Sequence, residues 1–165
     1  MDEPGFEAGA SAPSSTNEGP HLFAGVILVD RRGWVLLQER DEHPAIDPEK
    51  WGLVGGHLDP GEEFEPAAYR ELAEETEVVL TPGELTFWQE FAVNHTEAYG
   101  TIDRMQVFVA PTELTDADIV CREGRQILFV DPESVVGLPL TMAAADIMPA
   151  FLESPVYRDL IGAPL

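Results

Sequence analysis

A chain of 165 residues has room for one domain with a sizeable core and too little for two. It is 44% hydrophobic, as globular chains are, and carries 31 acids against 9 Lys and Arg, a net charge of -22. A field of that sign repels phosphate backbones and anionic membrane surfaces, so neither nucleic acid nor a membrane is expected as a partner; a phosphorylated small ligand would need a metal ion or local basic residues.

Residues 1–20, MDEPGFEAGASAPSSTNEGP, are acidic and rich in small residues, Pro and Gly, without the positive start and apolar stretch of a signal peptide. They read as a flexible tail, leaving 21–165 as the folded domain. LFAGVILVD (22–30) and WVLLQER (34–40) are predicted as a strand pair turned at Gly33. The apolar run LFAGVILV is far too short to span a bilayer. EHPAIDPEK (42–50) is a loop, and WGLVGGHL (51–58) a buried strand ending at Gly55-Gly56, where paired glycines let a backbone turn or approach a ligand. LDPGEE (58–63) is a turn. The next segment, from about Glu65 to Thr76, reads as helix, with Pro66 in its first turn and Phe64, Ala68 and Leu72 toward the core. Strands follow at 85–93, 104–111 and 127–130, then a short helical turn at DPESV. Thr141 caps a helix reaching about Leu152, kinked or broken at Pro149, and YRDLI (157–161) adds a final turn. Short strands mixed with two helices predict one α+β domain. The single cysteine, Cys121, precludes an intrachain disulfide and suits a reducing cytosol; its neighbours include Arg122 but no paired base.

The helix carries a conflict. RELAEETE (70–77) places Glu71, Glu74, Glu75 and Glu77 within two turns, offset only by Arg70. Like charges three or four apart destabilise a helix by roughly 0.2–0.5 kcal/mol per pair, and the last turn is the negative end of the helix dipole. At about 100° per residue, Glu71, Glu74 and Glu75 fall within one arc bordering Ala68 and Leu72. Three carboxylates converging there make a hard-oxygen site suited to Mg²⁺ or Mn²⁺. A solvated acidic face is the common alternative, but such faces usually interleave lysines, and none is present here.

From Gly56 the sequence runs GHLDPGEEFEPAAYRELAEETEV, which resembles the box of the Nudix hydrolases, G-x5-E-x7-R-E-U-x-E-E-x-G-U with U a bulky aliphatic. Gly56, Glu62, Arg70, Glu71, Leu72, Glu74, Glu75 and Val78 match, eight of nine defined positions over 23 residues, and Glu77 replaces the last glycine. Arg40 followed by WGLVGG agrees with the approach to the box in many relatives. The resemblance implies a mixed β-sheet packed between helices (an α/β/α sandwich). It also implies a cytoplasmic enzyme that cleaves a diphosphate linkage in a nucleoside diphosphate joined to another moiety, water attacking phosphorus with Mg²⁺, or Mn²⁺, shielding phosphate charge. Carried over by position, Glu71, Glu74 and Glu75 would be metal ligands together with the Gly56 carbonyl. Glu71 could instead be the general base, and Arg70 with Glu62 would form a supporting pair. Glu123, on a loop ahead of ILFV, is a further catalytic candidate, with an ordinary loop acid as the equal alternative.

A glutamate at position 77 would cost roughly 1–2 kcal/mol if it must be left-handed, a local effect on stability with the chemistry kept. His57 stands alone, and the four histidines show no zinc spacing. Trp51, Trp88, Phe91 and Tyr99 could stack on a base or simply pack, and Arg40, Lys50 and Arg104 could meet phosphate or carboxylates. Nucleoside triphosphates and nucleotide sugars both stay open as substrates, and a homodimer is left open. Two rival readings are weighed: a silent Nudix-fold nucleotide-binding or regulatory module, which would usually have dropped metal carboxylates, and an isoprenoid diphosphate isomerase, whose cysteine would lie ahead of the box, whereas Cys121 lies after it.

Overall fold

The computed structural model describes residues 19–162, so the predicted tail lies almost wholly outside the described residues. A seven-stranded mixed sheet forms from β1 (Leu22–Val29), β2 (Val35–Glu39), β3 (Trp51–Gly52), β4 (Val54–His57), β5 (Thr86–His95), β6 (Thr101–Pro111) and β7 (Gln126–Val130). Its path is β3-β2-β1-β6-β5, with β4 also paired to β1 and β7 to β2. The β1–β6 pair is parallel and the other pairs are antiparallel.

β1 is apolar throughout because both faces of the sheet are covered. Ala24, Val26 and Leu28 alternate toward one face, where helix α1 (Phe64–Thr76) packs Ala67, Ala68 and Leu72. Ile27 and Val29 turn to the other, against Ile147, Met148 and Phe151 of α4 (Met142–Leu152) and Tyr157 of α5 (Pro155–Gly162). Short helices α2 (Thr96–Tyr99) and α3 (Pro132–Val135) lie in connections. The result is the expected sandwich of helices about a mixed sheet.

Several boundaries differ from the sequence reading, each for a local reason. β4 runs through Gly55-Gly56 to His57 instead of ending there. Gly55 has φ of 148°, and a Cβ on it would stand 2.1 Å from the Ala24 carbonyl oxygen, so the close β1–β4 approach demands glycine. β5 and β6 extend beyond their apolar runs, pairing polar His95 with Thr101 around α2. α4 continues unbroken through Pro149, and the last turn grows into an eight-residue helix. Thr141 caps α4 as expected, its Oγ1 accepting from the Ala144 N–H at 3.1 Å.

Helix α1 ends at Glu77, which is left-handed with φ 64° and ψ 15° and returns its N–H to the Ala73 carbonyl. The strain of about 1–2 kcal/mol is only partly offset by an exposed pair between Glu77 and Arg122, of a kind worth about 0–1 kcal/mol. Glu77→Gly removes the strain, loses that pair and adds freedom to the unfolded chain. It is expected to leave stability unchanged or raise it by up to about 1 kcal/mol in thermal or urea unfolding. A clear loss of stability would show that the Arg122 pair outweighs the strain.

Candidate active site

The loop between β4 and α1 is held by one arginine. Arg70 grips Glu62 with both ends of its fork, Nε to Oε2 at 2.9 Å and Nη2 to Oε1 at 2.8 Å, while Nη2 also donates to the His57 carbonyl at 3.1 Å. The Asp59 N–H donates to Glu62 Oε1 at 2.8 Å, which closes the loop on itself. Charge-assisted bidentate bonds of this kind are the strong ones. They hold the Glu62 carboxyl down to about 2 and push the Arg70 guanidinium further up. Glu62 and Arg70 are thus bonded to each other, and Arg70 ties the His57 carbonyl to the helix.

The remaining fork nitrogen of Arg70, Nη1, donates to Glu71 Oε2 and Glu74 Oε1, both at 3.1 Å. Glu71 turns inward beneath Gly56, where a Cβ would meet its carboxyl carbon at 2.8 Å; only glycine lets the strand backbone come so close. Glu75 is 4% exposed and takes the Gly55 N–H at 3.3 Å. Burial raises the Glu75 carboxyl strongly, and the negative charges of Glu123 and Glu71 add to it. Burial likewise raises Glu71, against the pull of Arg70. Glu74 stands apart, its side chain 59% exposed and tied to Arg70.

Glu123 reaches this group because its loop is docked on the end of α1. The Val120 N–H donates to the Thr76 carbonyl at 3.1 Å and the Arg122 N–H to the Glu75 carbonyl at 2.9 Å. Gln38 Nε2 then holds the Glu123 carbonyl at 2.8 Å, while no side-chain bond to the Glu123 carboxylate occurs among the described residues. Cys121, on the same loop, is exposed, and its thiol donates to the Glu123 and Gly124 carbonyls.

Beside these acids lies a cavity of about 270 Å³, lined among others by Gly55, Gly56, Arg40, Glu123, His57 and Tyr99. A second recess of about 350 Å³ shares Arg40 and Glu123 with it. Of the nine Lys and Arg, seven have a carboxylate partner; Arg40 and Arg158 have none among the described residues. Arg40 Nη2 donates to the Ile46 carbonyl at 3.1 Å, and its buried Nε has no partner. Lys50 and Arg104 are instead engaged by Asp47 and Glu90. Trp51 is core, while Trp88 and Phe91 pack against it. His57 does not stand alone. Strand register gathers His21, His57 and His95 at one end of the sheet, a grouping that no linear spacing signals.

A hard divalent cation fits this donor set: ionising both Glu71 and Glu75 leaves more negative charge than Arg70 alone balances, and the Gly55-Gly56 backbone lies against them. The tightest convergence of ligand-type side chains among the described residues lies elsewhere, at Asp41, Glu42 and His43 on the exposed loop, where Glu42 already meets Arg125.

The NUDIX domain family matches residues 19–151. The nucleoside triphosphatase NudI of Escherichia coli is 26% identical over 121 residues, 70% of this chain and 86% of that protein. NudI of Salmonella agona is 34% identical over 61 residues, a stretch that spans only 43% of that relative and 37% of this chain. The CTP pyrophosphohydrolase of Escherichia coli is 27% identical over 127 residues, 76% of this chain and 87% of its own length. Among solved structures, a bifunctional NMN adenylyltransferase/ADP ribose pyrophosphatase from Francisella tularensis, complexed with AMP and a manganese ion, superposes with a TM-score of 0.66 at 18% identity. The overlap takes in 84% of this chain and 43% of that one.

The raised carboxyls make stability depend on pH in a defined direction. Without metal, the folded protein holds protons on Glu71 and Glu75 that the unfolded chain releases near the ordinary value of 4.5. Stability is therefore lost as pH rises from there through the raised values. Glu75→Gln should remove much of that loss: in chelator, the variant is expected to exceed the parent by at least ~1 kcal/mol at about pH 8 and to match it near pH 4, read by thermal unfolding. A variant less stable at the higher pH would show that the Glu75 carboxyl is not under electrostatic strain.

Proposed function

The chain belongs to the Nudix family of hydrolases, and from that premise we propose that it is a metal-dependent pyrophosphohydrolase acting on a nucleoside diphosphate joined to a further phosphate or sugar. The observation that carries this reading is an arginine, Arg40, with no carboxylate partner among the described residues, in a cavity lined by Glu123 and by the Gly55-Gly56 backbone against which Glu71 and Glu75 pack. In a chain of net charge -22, such an arginine is an expensive feature unless an anion meets it.

Glu71 and Glu75, with the Gly56 carbonyl, would hold the divalent ion, and Glu74 would join on release from Arg70. Mg²⁺ or Mn²⁺ bound there supplies charge shielding on phosphate and orientation of the nucleophile. Arg40 binds a phosphate oxygen from the opposite wall. The Arg70–Glu62 clamp keeps Gly56 and Glu71 at their separation, so that the reacting phosphorus is presented in one position. Glu123, its carboxylate unbonded and facing the same cavity, takes the proton of the attacking water at a carboxylate oxygen. As the new P–O bond forms, the bridging P–O bond breaks and its electron pair leaves on the departing phosphate. The site is proposed to work in the cytoplasm on small nucleotides. Among the described residues no helix is long and apolar enough to cross a membrane.

The test is product release from nucleoside triphosphates, including CTP, and from nucleotide sugars, including ADP-ribose, in Mg²⁺ and then Mn²⁺. Turnover is expected in the parent, with a loss of at least about a hundredfold in kcat for Glu75→Gln and for Glu123→Gln. Arg40→Ala is expected chiefly to raise KM, by about ten- to a hundredfold. Nucleotide binding without turnover in either metal would replace this reading with that of a silent binding module.

A further inference from the structure

The short helix α2 and the polar ends of β5 and β6 place a ring at the mouth of the cavity beside the carboxylates. Tyr99 closes α2, is 37% exposed, and lines that cavity with Phe23, His57 and His95. Behind it, outside the cavity, His21 lies nearly parallel to the Tyr99 ring, centroids 4.0 Å apart at 14°. His21 is itself fixed: its N–H donates to Asp103 Oδ1 at 2.9 Å, and its Nδ1 lies 3.3 Å from His57 Nε2. Asp103 is fully buried and also binds His95 Nδ1 at 2.6 Å and Thr101 Oγ1 at 2.6 Å. Phe23 and His57 complete the wall, with ring centroids 4.3 Å apart. A buried carboxylate thus anchors His21 and His95, which with His57 surround the Tyr99 ring, and Tyr99 stays partly exposed in the cavity that Gly56 also lines.

A ring this well braced yet partly exposed is poorly explained by core packing, since the cores on both faces of the sheet close without it. It offers a rigid π-face at low entropic cost, which planar heteroaromatic ligands use. We propose that Tyr99 is the stacking platform for the nucleobase of the substrate, held upright by His21, so that the base lies against the Tyr99 wall while the diphosphate reaches Arg40 and the acids. This rests on the nucleotide-hydrolase reading and adds to it a recognition residue for the base. Tyr99 is a binding residue, and His21 is a positioning residue that acts through it.

The experiment compares binding, in Mg²⁺, of the non-hydrolysable α,β-methylene analogues of ATP and CTP with that of inorganic tripolyphosphate, which carries the phosphates and no base. Tyr99→Ala and Tyr99→Leu, each checked for an unchanged unfolding midpoint, are expected to weaken one or both analogues by about ten- to a hundredfold and to leave tripolyphosphate unchanged. Tyr99→Phe, which keeps the π-face, is expected to bind within about threefold of the parent, and His21→Ala to show a smaller loss in the same direction. Equal weakening of tripolyphosphate and nucleotide, or no weakening of either nucleotide, overturns the proposal while the hydrolase reading stands. So does a parent protein that binds tripolyphosphate as well as it binds the analogues. A parent that binds none of the three overturns the nucleoside triphosphate form of the hydrolase reading and this inference with it.

Discussion

The carboxyl group of Glu75 sets the terms for the rest of this structure. It is buried, it accepts the Gly55 N–H, it shares a hydrogen bond with the Glu71 carboxyl, and the negative charges acting on it are those of two more acids, Glu123 and Glu71. An isolated arrangement of that kind is costly in any fold, since desolvation and like-charge repulsion act in the same direction. The chain does not relieve it with a lysine. Arg70, the one cation at hand, is committed to Glu62 and reaches only Glu71 and Glu74. Everything around Glu75 serves to keep the arrangement in place: glycines at 55 and 56 admit the strand, the arginine clamp fixes the loop, and the segment at 120–122 bonds to the end of α1. Strain concentrated where the neighbours over-determine it is the usual mark of a working site, and an external cation is the simplest relief.

Much of this could be read from residues close in sequence. The apolar alternation of β1, the helix from Phe64 to Thr76 and the acids upon it follow from local periodicity, and the spacing from Gly56 to Val78 carried the family. Even the exception was legible: Glu77, standing where the box has glycine, takes the left-handed conformation that glycine would favour. The glycine pair was singled out for close approach, but not the strand that runs through it, because the approach is set by Ala24 on a distant strand. Glu71 and Glu75 share an inward position as their helical spacing implies. Glu74, one residue from Glu75, falls toward solvent and Arg70 instead, a distinction that a 100° arc is too coarse to draw.

The cavity was the least visible part. Its walls come from β1, β3, β4, β5, β6, α2, the start of α4, the loop at 44–47 and the loop bearing Glu123, segments brought together by strand register and helix packing over long sequence distances. His21, His57 and His95 have no ligand-like spacing, yet they converge because parallel β1–β6 pairing and the extended β5–β6 ribbon align their ends. Among Arg40, Lys50 and Arg104, sequence gave no way to choose. In the fold Lys50 and Arg104 meet carboxylates, while Arg40 meets none among the described residues and lines the cavity with Glu123. Chemistry-bearing residues that depend on long-range pairing are thus the ones that composition and local pattern leave unranked.

The central claim, that the acidic face of α1 is completed by a divalent cation, is tested most directly by calorimetric titration of Mg²⁺ near neutral pH. The titration is run in two buffers of different ionisation enthalpy, on the parent and on Glu71→Gln. Burial pushes the Glu75 carboxyl up to about 9, so metal binding there near neutral pH must release its proton. The account predicts saturable binding whose heat differs between the buffers by an amount corresponding to proton release, and a marked loss of affinity in the variant. Absence of binding at millimolar Mg²⁺, or binding with no buffer dependence and no effect of Glu71→Gln, would contradict it.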